Sequence, residues 1–130
     1  MSTPGWTPIL YDARDDFPRS VAALRRFDVL LVNPVRDGLN LVAKEGMIVN
    51  ERDGVLALSR ESGVFSELGE AALEIHPFDI AGTSDVLHRA LTMPGDERRS
   101  RFDAARAKVL QRSGRDWLAE QLQFASGTRA

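Results

Sequence analysis

The sequence predicts an α/β protein with a Rossmann-like parallel sheet of three to four strands flanked by helices. Short continuous apolar runs occur at residues 28–33, 55–59 and 72–77. Segments with helical patterning separate these runs, and strands that alternate with helices form βαβ units with right-handed crossovers. A chain of 130 residues is also long enough to bury one core.

The composition limits the classes of function. Hydrophobic residues make up 43% of the chain, charged residues 28%, and the net charge of −2 gives no reason to expect a nucleic-acid or membrane partner. Without cysteines, disulfides and thiol chemistry are excluded. No apolar run approaches the ~20 residues of a membrane span, and the start is not patterned as a secretory signal. We therefore expect a cytoplasmic protein.

The first third of the chain contains an irregular lead-in followed by the first elements. Residues 1–8 are rich in Pro, Gly, Ser and Thr, and residues 9–130 form the predicted domain. Residues 9–12 predict a short strand. A helix over residues 15–27 has Pro18 in its first turn. The apolar run at residues 28–33 predicts a central strand with both faces buried.

The later elements follow from the same patterns. The domain ends in two or three helices. One of these helices has Val86, Leu87, Ala90 and Leu91 on its inner face, and the next uses Phe102, Ala105 and Val109. The predicted elements after the first strand are a helix at 39–50, a strand at 55–59, a short helix at 64–68, a strand at 72–77, and helices at 79–94, 96–114 and 115–125.

The turn within "VNPVRDGLNLVAKEG", residues 32–46, is the candidate site, because ligands of parallel sheets bind beyond the carboxyl ends of the strands. Gly38 is expected to adopt a backbone geometry that other residues resist and to let a ligand approach. Asp37 or Asn40 would cap the following helix, whose first amides would then bind an anion such as phosphate. These amides belong to Leu39, Asn40 and Leu41.

Two carboxylates flank this helix start. Glu45 lies eight residues after Asp37, or ~12 Å along a helix, and carboxylates accept hydrogen bonds from sugar hydroxyls. A ligand with hydroxyls at both ends and phosphates between them, such as a nucleotide-sugar, fits this order. The alternative is that Asp37 and Gly38 form only a cap and a turn, and that Glu45 is a solvated helix residue.

The string "LLVNPVRDGLNLVAKE", residues 30–45, resembles the donor-binding motif of trehalose-6-phosphate synthases, which are retaining glycosyltransferases of the two-lobed GT-B type. The segment at residues 54–101 also follows that family's order, and the resemblance covers residues 9–122. It implies a partial C-terminal lobe of a GT-B fold, with a nucleotide-sugar-binding domain at residues 9–130.

The resemblance also implies the contacts of a donor site. Asp37 would accept hydrogen bonds from the hexose, and Glu45 would bind the ribose hydroxyls. Lys44 belongs to the motif without an evident physical role, and we expect it to be a solvated helix residue. The implied donor-binding residues are Asp37, Gly38, Leu39, Asn40, Leu41, Val42, Ala43, Lys44 and Glu45, with Gly38, Leu39 and Asn40 on the hexose and diphosphate and Leu41 and Val42 along the nucleoside.

The activity that the resemblance implies is transfer of glucose from a nucleotide-glucose to glucose 6-phosphate with retention, without a protein nucleophile, cofactor or metal. The residues do not distinguish UDP, GDP and ADP donors. The motifs match only the later part of the second lobe. We therefore expect the chain to supply the donor-binding half-site, to be inactive alone, and to bind glucose 6-phosphate only together with the other lobe.

Two alternatives stay open at this point. The chain is either part of such a synthase or a stand-alone, non-catalytic paralogue or interaction module. Relatives that make glucosylglycerol phosphate or pseudo-disaccharides share the same region, so the acceptor is also open. The family commonly has Asn where His76 stands, which leaves the contact made by that loop undefined.

Several further side chains carry structural expectations. Ser59 and Ser62 are expected to be turn and cap residues, and Gly46 should weaken its helix by up to ~1 kcal/mol. The last helix would either cover the sheet or make a homo-oligomer contact. Its apolar residues are Trp117, Leu118 and Leu122, and a separate basic cluster of Arg98, Arg99 and Arg101 reads as a solvated helix face.

Overall fold

The computed structural model describes residues 5–111 and 113–127. Part of the expected lead-in, residues 1–4, lies outside the described residues, as do residues 112 and 128–130. The elements in chain order are α1 (Phe17–Arg26), β1 (Val29–Val32), α2 (Leu41–Val49), β2 (Val55–Ser59), α3 (Phe65–Leu68), β3 (Leu73–Ile75), α4 (Ile80–Thr92), α5 (Gly95–Leu110) and α6 (Gly114–Ala125).

The three strands form a parallel sheet in the order β1-β2-β3, which confirms the predicted α/β class. All five residues of β2 are buried, so β2 is the central strand of this sheet. The prediction that β1 is central was wrong, because β1 pairs only with β2 among the described strands, and Leu31 is 44% exposed. An apolar run shows that side chains avoid water but not how many strands lie beside it.

The strand predicted at residues 9–12 is absent, so the sheet has three described strands rather than four. Ile9, Leu10 and Tyr11 are exposed and pair with no strand of the described sheet. Asp12 instead binds Arg14, with 2.7 Å between Oδ2 and the guanidinium, and hydrogen bonds from Arg14 lower the pKa of Asp12 to about 2. Local ion pairing therefore takes the place of sheet pairing in this segment.

The sheet is covered on both faces. Helices α2 and α5 pack on one face, where Met47 and Phe102 lie in the larger core cluster with Leu56 and Leu58 of β2. Helix α4 covers the other face through Ala90, which packs with residues of β2 and β3. The predicted core positions in α5 are confirmed, whereas Leu91 of α4 is 66% exposed and does not belong to the inner face.

Helix α2 is held tightly against β1 at Gly46. A Cβ atom on Gly46 would lie 2.6 Å from Cδ2 of Leu30 and 3.3 Å from Cε1 of Phe27. The expectation that this glycine only weakens the helix was therefore incomplete. Gly46 has a low helix propensity, but its missing side chain lets α2 lie close to β1.

Asn50 joins the end of α1 to the turn that precedes β2. Its side-chain amide donates to the carbonyl oxygens of Leu24 at 3.2 Å and Phe27 at 3.0 Å. Its Oδ1 accepts from the backbone amides of Arg52 and Gly54, both at 2.9 Å. The residue is only 3% exposed, so these four hydrogen bonds satisfy a buried amide group and fix the end of α1 to the turn before β2.

Two arginines of α5 act as cross-links instead of forming the predicted solvated face. Arg98 donates from Nε to the carbonyl oxygen of Asp53 at 2.8 Å and pairs with the Asp28 carboxylate at 3.2 Å. Arg101 reaches the carbonyl oxygen of Ala72 at 3.4 Å. These contacts tie α5 to the amino-terminal edge of the sheet and to the start of β3.

Helix α6 begins at a capping box between Ser113 and Asp116 and buries none of its side chains. Trp117 is 54% exposed and Leu122 is 62% exposed. The expectation that this helix covers the sheet was wrong, and the homo-oligomer contact stays a prediction. Within the described residues, no helix is long and apolar enough to cross a membrane.

Asn50→Ala should destabilise the fold by about 2–4 kcal/mol, because four hydrogen-bonding partners around a buried side chain lose their bonds at once. Urea unfolding monitored by circular dichroism would measure the change. Asn33→Ala is the matched control, since Asn33 is exposed at the end of β1. An equal effect of the two substitutions would contradict the role of Asn50.

Candidate functional site

Two loops meet at the carboxyl edge of the sheet and are joined through the backbone of Asp37. The amide of Gly63 donates to the carbonyl oxygen of Asp37 at 2.8 Å, and the amide of Asp37 donates to the carbonyl oxygen of Glu61 at 3.3 Å. A Cβ atom on Gly63 would lie 1.9 Å from the carbonyl oxygen of Gly38. Position 63 therefore has no room for a side chain, and two backbone hydrogen bonds join the loops after β1 and β2.

Ser59 also links the two loops through its side-chain hydroxyl. Its Oγ donates to the carbonyl oxygen of Pro34 at 2.8 Å and accepts from the amide of Glu61 at 3.1 Å. The residue is fully buried at the end of β2. This confirms that Ser59 is a turn residue, whereas the buried Oγ of Ser62 has no hydrogen-bond partner among the described residues.

Helix α2 begins at Leu41, two residues after the predicted start, and Asn40 is its cap. The Asn40 Oδ1 accepts from the amide of Ala43 at 3.1 Å. Asn40 also has the left-handed conformation, with φ of 62°, which Asn tolerates better than most residues. The prediction that Gly38 supplies this special geometry was wrong. Gly38 instead leaves open space, since a Cβ there would meet no atom within 4 Å.

The Asp37 carboxylate is held above the helix start by its neighbours. It accepts from the Asn40 side-chain amide at 2.8 Å and from the Leu39 backbone amide at 3.2 Å. These two hydrogen bonds, the one from Asn40 being the stronger cause, hold the pKa of Asp37 below its ordinary value. The Leu39 amide is therefore not free for an anion as predicted, and Asp37 is an ionised acceptor at neutral pH.

The outer side of α2 combines apolar side chains with one carboxylate. Leu39, Leu41 and Val42 are about half-exposed around the helix start. Glu45 is exposed one turn later, and among residues 5–111 and 113–127 no hydrogen bond or ion pair engages its carboxylate. This side therefore has an apolar surface followed by a free acceptor.

Ala43 and Lys44 of the motif are turned away from that surface. The Ala43 side chain is fully buried in the core, so its expected part in donor binding does not extend to its side chain. The Lys44 Nζ lies 2.6 Å from Oε2 of Glu67 in α3. The expectation that Lys44 is a solvated helix residue was wrong, because an ion pair to a residue 23 positions away has no signal in the local sequence.

Residues of both loops line an open cleft of about 750 Å³. Arg60 on its far wall pairs with the Glu74 carboxylate at 3.2 Å and approaches Nε2 of His76 at 2.7 Å. Sequence reasoning did not single out Arg60, although its position directly after β2 was a usable signal. The cleft is lined by Val35, Arg36, Asp37, Gly38, Arg60, Glu61, Ser62, Gly63, Phe65 and Ser66.

A second cavity of about 540 Å³ lies at the opposite edge of the sheet. Its charged side chains pair with one another, as in the contacts of Arg98 and Arg52 with Asp28. Binding sites of parallel sheets lie at the carboxyl ends of the strands, so the cleft beside Asp37 is the functional candidate. Among the described residues, no group of three or more His, Asp or Glu side chains is arranged to hold a metal ion.

The parallel sheet, together with a cleft and a helix start at its carboxyl edge, is typical of Rossmann-like domains that bind ligands at that edge. The model of Glycosyltransferase family 20 matches residues 1–126. The chain therefore belongs to glycosyltransferase family 20.

Individual relatives agree with this assignment. The chain is 40% identical over 120 residues to a trehalose-6-phosphate synthase of Sinorhizobium fredii, covering 90% of this chain and 26% of that protein. It is also similar to an α,α-trehalose-phosphate synthase (UDP-forming) from Burkholderia xenovorans in complex with glucose-6-phosphate, at 40% identity and a TM-score of 0.75, over 82% of this chain and 24% of that one.

A third relative carries a donor analogue. The E. coli structure described as "Trehalose-6-phosphate from E. coli bound with UDP-2-fluoro glucose" is 36% identical, with a TM-score of 0.84, over 97% of this chain and 28% of that chain. In all three comparisons the present chain spans about a quarter of the relative's length.

Acidification should remove a contribution of Asp37 to stability. Because the folded pKa of Asp37 is lowered, its hydrogen bonds stabilise the fold above the unfolded pKa, and this contribution is lost as the pH falls through the folded pKa. Between about pH 5 and pH 2, the urea midpoint of the unmodified chain should therefore fall more steeply than that of Asp37→Asn.

Asp103→Asn is the control for this comparison, since Asp103 is exposed on α5. Its curve should parallel that of the unmodified chain. Parallel curves for Asp37→Asn as well would show that the Asp37 contacts contribute nothing to stability.

Proposed function

We propose that this chain supplies the donor-binding half-site of a trehalose-6-phosphate synthase, an enzyme that transfers glucose from a nucleotide-glucose to glucose 6-phosphate with retention. The observation that carries the proposal is the placement of two carboxylates around the start of α2. The Asp37 carboxylate lines the cleft, is ionised and accepts a hydrogen bond from the Asn40 side-chain amide. Glu45 is an exposed carboxylate one turn into the helix.

The donor hexose occupies the cleft beside Asp37 in this proposal. A carboxylate offers about four acceptor positions, and the Asn40 and Leu39 contacts use two of them. The remaining positions are available to sugar hydroxyls. The open space over Gly38 lets the hexose approach the backbone without a side chain in the way.

The nucleotide lies along the outer side of α2. The diphosphate sits near the amino-terminal end of the helix, where the helix dipole favours negative charge. The half-exposed side chains of Leu41 and Val42 provide an apolar surface for the nucleoside. Glu45 accepts from the ribose hydroxyls, which is a use for an exposed carboxylate that pairs with no described residue.

The similar proteins support the choice of substrates. The E. coli relative is bound with UDP-2-fluoro glucose, which favours UDP-glucose as the donor. The Burkholderia xenovorans relative is in complex with glucose-6-phosphate, which favours that acceptor. The acceptor binds only together with the other lobe of the family's enzymes, which this chain does not match. In the cell we place this function in the cytoplasm, without a nucleic-acid or membrane partner.

Titration of the labelled chain with UDP-glucose, followed by NMR, should shift the amides of residues 39–45. Glu45→Ala should raise the dissociation constant by about three- to tenfold, because hydrogen bonds to a charged acceptor are lost. Glu70→Ala is the matched control, since Glu70 is an exposed glutamate away from α2. Equal affinity of the Glu45→Ala variant and the unmodified chain would contradict the proposed ribose contact.

The 130-residue chain alone should not transfer glucose at a measurable rate. In the family that it resembles, the Arg and Lys that neutralise the donor diphosphate precede the matched region, and charge on a leaving group needs such stabilisation. The measurement is release of UDP from UDP-glucose in the presence of glucose 6-phosphate. Release that depends on glucose 6-phosphate would overturn this expectation.

A further inference from the structure

The Lys44–Glu67 pair differs from the other lysine pair in its shelter from water. The Lys44 and Glu67 side chains are 23% and 33% exposed, and their charged atoms are 2.6 Å apart. The Lys108–Glu70 pair is 4.0 Å long, with side chains 47% and 92% exposed. A short, sheltered pair is less screened by solvent, so the Lys44–Glu67 contact is the more strongly held of the two.

The walls of the cleft are residues 35–38 and residues 60–63, 65 and 66, and this pair joins the helices that continue from them. Lys44 lies in α2, directly before Glu45, and α2 follows the loop that contains Asp37. Glu67 lies in α3, which follows the loop that contains Gly63. The backbone hydrogen bonds between Asp37 and Gly63 join these walls at the loops, and the ion pair joins them again at the helices.

The Lys44 ammonium group is already paired with the Glu67 carboxylate. An ammonium group held by a carboxylate at 2.6 Å is neutralised locally, so it does not offer a free cation to a diphosphate. The neighbouring Ala43 side chain is fully buried, while Glu45 is exposed. Lys44 therefore belongs to the part of α2 that contacts protein rather than to its ligand-facing side.

Building on the proposed function, we propose that Lys44 is a positioning residue whose ion pair with Glu67 fixes the separation of the two cleft walls. The pair holds α2 in the orientation that presents Asp37 and Glu45 to one donor molecule. Loss of the pair removes neither carboxylate but lets the walls move relative to each other. The donor then binds less tightly, although no atom that contacts it has been removed.

The test uses five variants of the 130-residue chain, one of them a control, and their affinity for UDP-glucose, measured from amide shifts. Lys44→Met and Glu67→Gln should each raise the dissociation constant about three- to tenfold, and Lys44→Arg, which retains the charge, should bind within about twofold of the unmodified chain. The exchange Lys44→Glu with Glu67→Lys should restore most of the affinity. Lys108→Met is the control and should bind as the unmodified chain does.

The charge exchange separates positioning from direct contact. If Lys44 binds the diphosphate itself, Glu67→Gln binds normally and the exchanged variant binds worst of all, which would overturn the proposal. Thermal unfolding of each variant identifies any that fails to fold. If a variant fails to fold, the affinities of Lys44→Arg and Glu67→Gln are compared instead. Equal affinity of Glu67→Gln and the unmodified chain contradicts the proposal.

A ligand-free measurement separates this proposal from the proposed function. Without ligand, Lys44→Met and Glu67→Gln should both shift the amide resonances of Asp37 and Gly63, and Lys108→Met should not. If the unmodified chain does not bind UDP-glucose, the proposed function fails while these shifts still decide whether the pair sets the cleft. Unchanged Asp37 and Gly63 amides in both variants would refute the positioning role.

Discussion

The arrangement of the candidate site depends on the two backbone hydrogen bonds that Asp37 makes with the loop after β2. They engage the amide and the carbonyl oxygen of the same residue, so the peptide segment of Asp37 cannot rotate without breaking one of them. Gly63 permits the close approach, because any side chain there would collide with Gly38. The carboxylate, the Asn40 cap and the start of α2 all take their positions from this junction.

The linear motif "NLVAKE" divides between two environments because it lies on a helix. Positions 41, 42 and 45 are exposed, whereas positions 43 and 44 contact the core and α3. The packing of Gly46 against Leu30 and the Asn50 hydrogen bonds determine this rotation of α2. A motif that reads as one binding element therefore contains residues with exposed side chains and residues whose side chains contact other parts of the protein.

The sequence predicted the parallel strands and the helices between them, because apolar runs and helical spacing are local signals. It also indicated the edge of the sheet where the candidate cleft lies. It did not predict that β1 lies at an edge of the described sheet, since the run at residues 28–33 has the same pattern with one neighbouring strand or two. It also missed the Asn50 network and the Lys44–Glu67 pair. Both depend on contacts between residues more than 20 positions apart, which leave no periodic trace.

The order of strands in the sheet follows their order in the chain, and this has a kinetic consequence. Everything that lines the cleft comes from residues 35–66, so the cleft closes through short loops whose entropic cost is small. Phe102 and Val109 of α5 join the same core from much further along the chain. During synthesis, every residue that lines the cleft is therefore made before the helix that completes the core beneath it.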